Sequence, residues 1–310
     1  MKRFLVGLLV LVAMGAGTTV GEARLRALAT TTIVGDVVQS IAGDRIDLTI
    51  LLPPDADPHA FQPTPRDVVA VSNADVIFLA GAGLEAGFEE ILENASGRAV
   101  DLSERLPLRR SDTEPADHPE GGVGEEGALD HDHGEADPHV WFDPTLIVTW
   151  CEAIEETLAE LDPDGGPTYR SNGESYRTAL EELDGWIRDQ TDRVPADRRR
   201  LITDHLAFGY FAERYGFEQV GSVFPGFTTL AEPSAREIAD LIETIERLDV
   251  PAIFVGMATD PTLAKVIADD TGIDVVRLYT GALSDVDGPA ATYIEFMRYD
   301  VGQIVNALSP

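Results

Sequence analysis

Short apolar runs that stop at proline or glycine alternate with stretches of helical spacing along this chain, and that rhythm constrains its fold more than any other feature. Residues 45–52 read as a strand halted by Pro53-Pro54, and residues 75–79 as another halted by Ala80-Gly81. Between them Thr64-Pro65-Arg66-Asp67 opens a short helix, with proline in the first turn, where its missing N–H is not needed. The stretch 25–34 looks like the first strand of the same unit. Strands joined through helices run parallel, so a sheet packed between helices is predicted.

A helical pattern then runs from Pro144 to about Leu161 and is punctuated by Asp162-Pro163-Asp164-Gly165-Gly166-Pro167. A longer one follows over 168–194, where Tyr169, Tyr176, Leu180, Leu183 and Ile187 make one apolar stripe and Pro195 ends it. Past that helix the first rhythm returns. Strands are predicted at 200–203, 219–224, 252–255 and 274–278, and helices at 234–248, 262–271 and 290–308. The predicted class is α/β: two α/β lobes with mainly parallel sheets, joined by one long connecting helix. The expected boundaries are 24–168 for the N-terminal lobe, 169–194 for the connecting helix and 195–310 for the C-terminal lobe. A length of 310 residues suits two compact domains. Residues 111–138 interrupt the first lobe with a loop rich in Asp, Glu, Gly and His.

The amino terminus reads Met1-Lys2-Arg3, then an apolar run to Ala16, then small residues. That is the pattern of a secretory signal, residues 1–23, with cleavage expected after Ala23 at Gly21-Glu22-Ala23. A second small-x-small site, Ala27-Leu28-Ala29, would trim into the first strand, and an uncleaved anchor is the other alternative. The expected location is extracytoplasmic, in a periplasm or at a cell surface. Cys151 is the only cysteine, which excludes a disulfide framework and a thiolate metal cluster. It lies on a helical pattern, not just behind the signal where a lipoprotein would need it.

Asp and Glu number 55 against 23 Lys and Arg, a formal net charge of -32. Such a field repels nucleic acid and attracts cations. Only Lys2 and Lys265 are lysines. An acidic, nearly lysine-free surface suits a protein kept soluble in concentrated salt, although a GC-rich, Arg-using genome would give the same bias.

Six histidines carry the chemistry: His59, His118, His131, His133, His139 and His205. His118, His131 and His133 fall in the acidic loop. His59, His139 and His205 each sit at a strand or loop end, in Asp57-Pro58-His59, Asp137-Pro138-His139 and Asp204-His205. Open α/β sheets bind ligands at the carboxyl ends of their strands, so one metal in the cleft between lobes would use all three. Neutral imidazole suits zinc and similar divalent ions. Proline restrains the residue before it, so the Asp-Pro pairs are expected to hold the chain extended ahead of each histidine. Asp204 is expected either to orient an imidazole or to cap the next helix.

At these residues the chain resembles the zinc/manganese-type substrate-binding proteins of metal-uptake ABC transporters (cluster A-I, zinc-uptake-like), over nearly all of its mature length. The matching stretches are Ile33-Val34-Gly35-Asp36-Val37-Val38 with Ile41-Ala42-Gly43-Asp44, Asp57-Pro58-His59 with Pro63-Thr64-Pro65-Arg66-Asp67, Asp137-Pro138-His139-Val140-Trp141-Phe142-Asp143-Pro144, Asp204-His205-Leu206-Ala207-Phe208-Gly209-Tyr210-Phe211, and Tyr293-Ile294-Glu295-Phe296-Met297-Arg298-Tyr299-Asp300. The resemblance implies His59, His139 and His205 as metal ligands, with histidine rather than glutamate at the third position favouring Zn(II) over Mn(II) or Fe(II). It implies a membrane permease as partner, and an acidic His-bearing loop that captures or relays metal or serves only as a solvated tether. One position departs from the pattern. The family's usual fourth ligand, an aspartate, falls at Gly281, and another common acidic position falls at Gly256-Met257. Water, Asp285 or Asp287 would then complete the site.

The reading is therefore a monomeric metal-capture protein with no catalytic residues, delivering Zn(II) to a permease. Two other classes compete with it: a secreted zinc hydrolase, and a metal-binding adhesin or surface scaffold. The sequence has neither a His-Glu-x-x-His helix nor a Gly-x-Ser-x-Gly elbow to support hydrolysis. Because binding needs neutral imidazoles, affinity is expected to fall as pH drops through about 6.

Overall fold

The computed structural model describes residues 24–110 and 136–310. The expected signal segment 1–23, and His118, His131 and His133 with most of the expected acidic loop, lie outside the described residues.

The N-terminal lobe is built from β1 (Leu25–Ala29), α1 (Thr32–Ala42), β2 (Ile46–Ile50), α2 (Pro65–Asn73), β3 (Val76–Leu79), α3 (Glu89–Leu92) and β4 (Arg98–Asp101). Its sheet has the order β2-β1-β3-β4, every pair parallel. The C-terminal lobe contains β5 (Arg200–Thr203), α6 (Gly209–Tyr215), β6 (Glu218–Ser222), α7 (Ala235–Leu248), β7 (Ala252–Gly256), α8 (Thr262–Thr271), β8 (Asp274–Leu278) and α9 (Tyr293–Leu308). Its sheet repeats the plan as β6-β5-β7-β8, again all parallel. Between the lobes stand α4 (Pro144–Leu161) and the 26-residue α5 (Gly166–Thr191). The predicted α/β architecture with a long linking helix is the one observed.

The differences from expectation have local causes. The stretch 25–34 is not one strand: β1 stops at Ala29, and the Thr31 side chain accepts the Val34 N–H to start α1. Ile33, Val34, Val37, Val38 and Ile41 are all buried along that helix, so an apolar run read as strand is the start of a core helix. The long helix begins at Gly166 because Pro167 is tolerated in its first turn, and it ends at Thr191. At α2, Thr64 and Asp67 form the reciprocal capping box that their spacing allows.

The lobes share their main core, beside one smaller cluster in each: Leu28, Val71 and Ile77 in the first, and Ile202, Leu241 and Ile253 in the second. One buried cluster runs from Val37 and Ile41 in α1 through Trp150 and Ile154 in α4 and Leu180 and Leu183 in α5. It continues into Phe208, Phe211, Phe296 and Ile304 of the C-terminal half. Asp36 fastens the same junction: its Oδ2 accepts the Tyr293 amide of α9 at 3.0 Å and the Tyr176 hydroxyl of α5 at 3.1 Å. Burial pushes that carboxyl upward, against the pull of these two donors. Tyr293 in turn donates its hydroxyl to Trp141 O at 2.7 Å, and Trp141 Nε1 donates to Thr280 O at 3.0 Å, so the seam is stitched in both directions.

Candidate metal centre

Each candidate histidine leaves the carboxyl end of its sheet. His59 follows β2, His139 lies between β4 and α4, and His205 comes two residues after β5. The structure brings all three together at the seam. Their ring centroids lie 4.9 to 5.3 Å apart. His139 Nε2 is 3.2 Å from His59 Nε2 and 3.1 Å from His205 Nε2. A tetrahedral zinc with Zn–N of 2.0–2.1 Å holds its nitrogens about 3.3 Å apart, so these separations suit one ion coordinated through three Nε2 atoms.

The Asp-Pro-His motif acts through an Asx turn as well as through proline. Asp57 Oδ1 accepts the His59 amide at 2.9 Å, and Asp137 Oδ1 accepts the His139 amide at 3.0 Å. At the second site the same oxygen also lies 2.9 Å from His139 Nδ1. At His205 the partner is the residue immediately before: Asp204 Oδ1 takes both the His205 amide and Nδ1 at 2.8 Å. A carboxylate on Nδ1 fixes the tautomer with the proton there, leaving the Nε2 lone pair for a cation. Of the two roles expected for Asp204, orientation is the one observed; α6 starts only at Gly209, with Phe208 as its N-cap.

The two orienting carboxylates have opposite surroundings. Asp204 is buried, but its Oδ2 accepts Gly256 N at 2.8 Å and Thr259 Oγ1 at 2.7 Å. Burial pushes its carboxyl up; the His205 imidazole and these donors outweigh that and hold it below the usual range. Asp137 is pushed up to about 7 by burial, against the pull of the His139 amide and of Arg109, and its Oδ2 is a buried oxygen with no hydrogen-bond partner. The imidazoles respond to enclosure and to one another. Burial, then the neighbouring His205, lowers His59 to about 4. His139, fully enclosed and beside both other rings, is held well below its ordinary value. For these two rings the window expected from ordinary imidazoles moves down.

Among the described residues, the set that can present ligand atoms within 4.8 Å of one another is His59, His139 and His205, with no carboxylate in it. Asp285 and Asp287 are exposed and do not join it, a correction to the expected alternatives. Gly281 explains why no side chain projects from its position: a methyl there would lie 2.6 Å from Pro58 Cγ and Cδ. At Gly256 a methyl would lie 2.5 Å from Thr280 Oγ1 and 3.0 Å from Asp204 Oδ2, so this position serves the carboxylate through its amide. The sequence marks Gly256 only as a departure from a common acidic position and does not mark Thr259 at all, since their role depends on β7 lying beside β5, which no local motif encodes.

Comparisons with known proteins show the family. The family model described as "Zinc-uptake complex component A periplasmic" matches residues 28–307. The manganese-binding lipoprotein MntA of Halalkalibacterium halodurans is 32% identical over 99% of this chain and 97% of its own length. The iron-binding protein YfeA of Yersinia pestis is 30% identical over 91% of this chain and 85% of its own. Among solved structures, the periplasmic zinc-binding protein TroA of Treponema pallidum superposes with a TM-score of 0.80 at 29% identity, covering 93% of this chain and all of that one. The chain belongs to the zinc-uptake complex component A family, the metal-binding substrate-binding proteins of ABC transporters.

Proposed function

We propose that this protein captures Zn(II) outside the cytoplasm through His59, His139 and His205 and passes it to the permease of an ABC transporter. The observation that carries the reading is the convergence of three Nε2 atoms with no carboxylate among them. Imidazole donors suit zinc, whereas manganese prefers carboxylate, carbonyl and water oxygens. Manganese or iron is the second reading, supported by the printed names of MntA and YfeA.

The working form is a monomer of two lobes, 24–168 and 195–310, bridged by the helix at 169–194. Export with cleavage after Ala23 is preferred over Ala29, because β1 pairs with β2 on one side and β3 on the other and its loss would split the sheet. The role is binding without turnover. The test is metal analysis of the purified chain with competition titration of Zn(II), Mn(II) and Fe(II), on wild type and His205→Ala. One tightly held zinc per chain, lost in the variant, is expected; a manganese preference would transfer the role to that ion.

A further inference from the structure

The loop carrying His59 belongs to the N-terminal half, yet the C-terminal lobe grips it at three points. Asp55 N donates to Leu283 O at 3.0 Å. The Pro58 ring packs against Gly281 so closely that a methyl there would collide with it. Thr229 Oγ1 donates to Asp57 Oδ2 at 2.5 Å, while the other oxygen of that carboxylate accepts the His59 amide. Asp57 thus hands the position of a C-terminal hydroxyl to the backbone of a candidate ligand.

His59 depends on this grip more than the other two histidines do. His139 and His205 are buried, with Nδ1 against Asp137 and Asp204. His59 is half-buried, and its neighbouring carboxylate is used on its backbone amide instead of its ring. The stretch bearing Thr229 also reaches the third ligand, since Gly226 O accepts Leu206 N at 2.9 Å, one residue past His205. Gly226 has φ +81, a left-handed turn that glycine adopts without strain. One segment between β6 and α7 therefore touches the loops of two candidate ligands that come from opposite lobes.

We propose that Thr229 and Gly281 are positioning residues for His59: they hold its loop from the facing lobe and thereby set how fast bound metal leaves. The proposal rests on the reading of His59, His139 and His205 as ligands. Separating the lobes would withdraw both residues from the loop together, so His59 is the first ligand to loosen and release proceeds through it. Thr229 is half-buried, and Thr229→Val keeps its shape while removing the donor.

The experiment is chelator-trapped zinc dissociation by stopped flow on the whole chain, with metal stoichiometry and thermal melting alongside. Thr229→Val is expected to release zinc about tenfold faster at one ion per chain, as loss of one hydrogen bond to a carboxylate predicts. Thr229→Ser, which restores the hydroxyl, should stay within about twofold of wild type. Gly281→Ala should also speed release, by driving Pro58 outward, and it carries the proposal should Thr229→Val fail to fold. Unchanged release in Thr229→Val, or equal defects in the valine and serine variants, would overturn it. His205→Ala separates the two levels: zinc retained there refutes the ligand reading, whereas zinc lost there with normal release in Thr229→Val refutes only the positioning role.

Discussion

Asp204→Asn isolates what a buried carboxylate does for the imidazole it touches. Asp204 is 1% exposed and accepts four donors: the His205 amide, His205 Nδ1, Gly256 N and Thr259 Oγ1. Asparagine keeps the shape, removes the charge and converts one oxygen into an NH2 that must face donors. If that nitrogen takes the Oδ1 place it opposes the His205 amide; in the Oδ2 place it opposes Gly256 N. Thr259 can rotate its hydroxyl to adapt, but a backbone N–H cannot, so either rotamer leaves one buried donor unmet at about 1–3 kcal/mol. For a chain of this size that lowers the melting temperature of the metal-free protein by roughly 2–5 °C. Losing the carboxylate behind the ring also makes His205 a weaker donor, for about a 10–100-fold drop in zinc affinity. Competition titration and melting of the metal-free chain measure the two effects. Asp137→Asn is the internal comparison: its Oδ2 has no hydrogen-bond partner to lose and its carboxyl is already pushed up to about 7, so its melting penalty should be smaller. Wild-type affinity and melting in Asp204→Asn would refute the argument.

His205→Ala should abolish tight zinc binding while far-ultraviolet circular dichroism stays native, because the residue sits in a loop at a strand end. Proton competition at His59 should set in only toward pH 4, since its ring is lowered to about 4, and His139 is held low as well; titration of the His59 ring near pH 6 in the metal-free chain, followed by NMR, would contradict its enclosure. The metal-free fold has the matching dependence. Between about pH 6.5 and 4 the unfolded chain binds a proton on His59 that the folded one refuses, so folding stability falls as pH drops through that window, by up to about 3 kcal/mol for this group. Zinc at 1,000 times its dissociation constant should stabilise the chain by about 4 kcal/mol, a melting shift on the order of 10 °C by calorimetry, and manganese at the same concentration should do less.

What could be read from the residues alone was the rhythm and the points where it breaks. The strand stops, the helix spacings and the three loop-end histidines are local signals, and they lay down the α/β lobes and the meeting of His59, His139 and His205. Local signals failed where the answer depends on a neighbour. Residues 25–34 carry apolar residues on both sides of Thr30-Thr31-Thr32, and only the Thr31 cap and the depth of the core decide that the second part is helix. β4, Arg98–Asp101, has two apolar residues in four and was not predicted, since its edge position asks little of its side chains. Asp204 could have been a cap by its spacing, and the bond to His205 Nδ1 shows otherwise. Gly281 could be noted as a departure in sequence, but the proline ring filling the space beside it is visible only when two segments 223 positions apart are brought into contact.

The core that runs through both lobes, and the Asp36 clasp on α5 and α9, have a consequence for speed. A chain fastened in this way has aimed its imidazoles before any ion arrives, so capture orders little more than three side chains. On the proposed three-histidine reading, taking up the ion asks for little rearrangement of the chain, and giving it up asks for more.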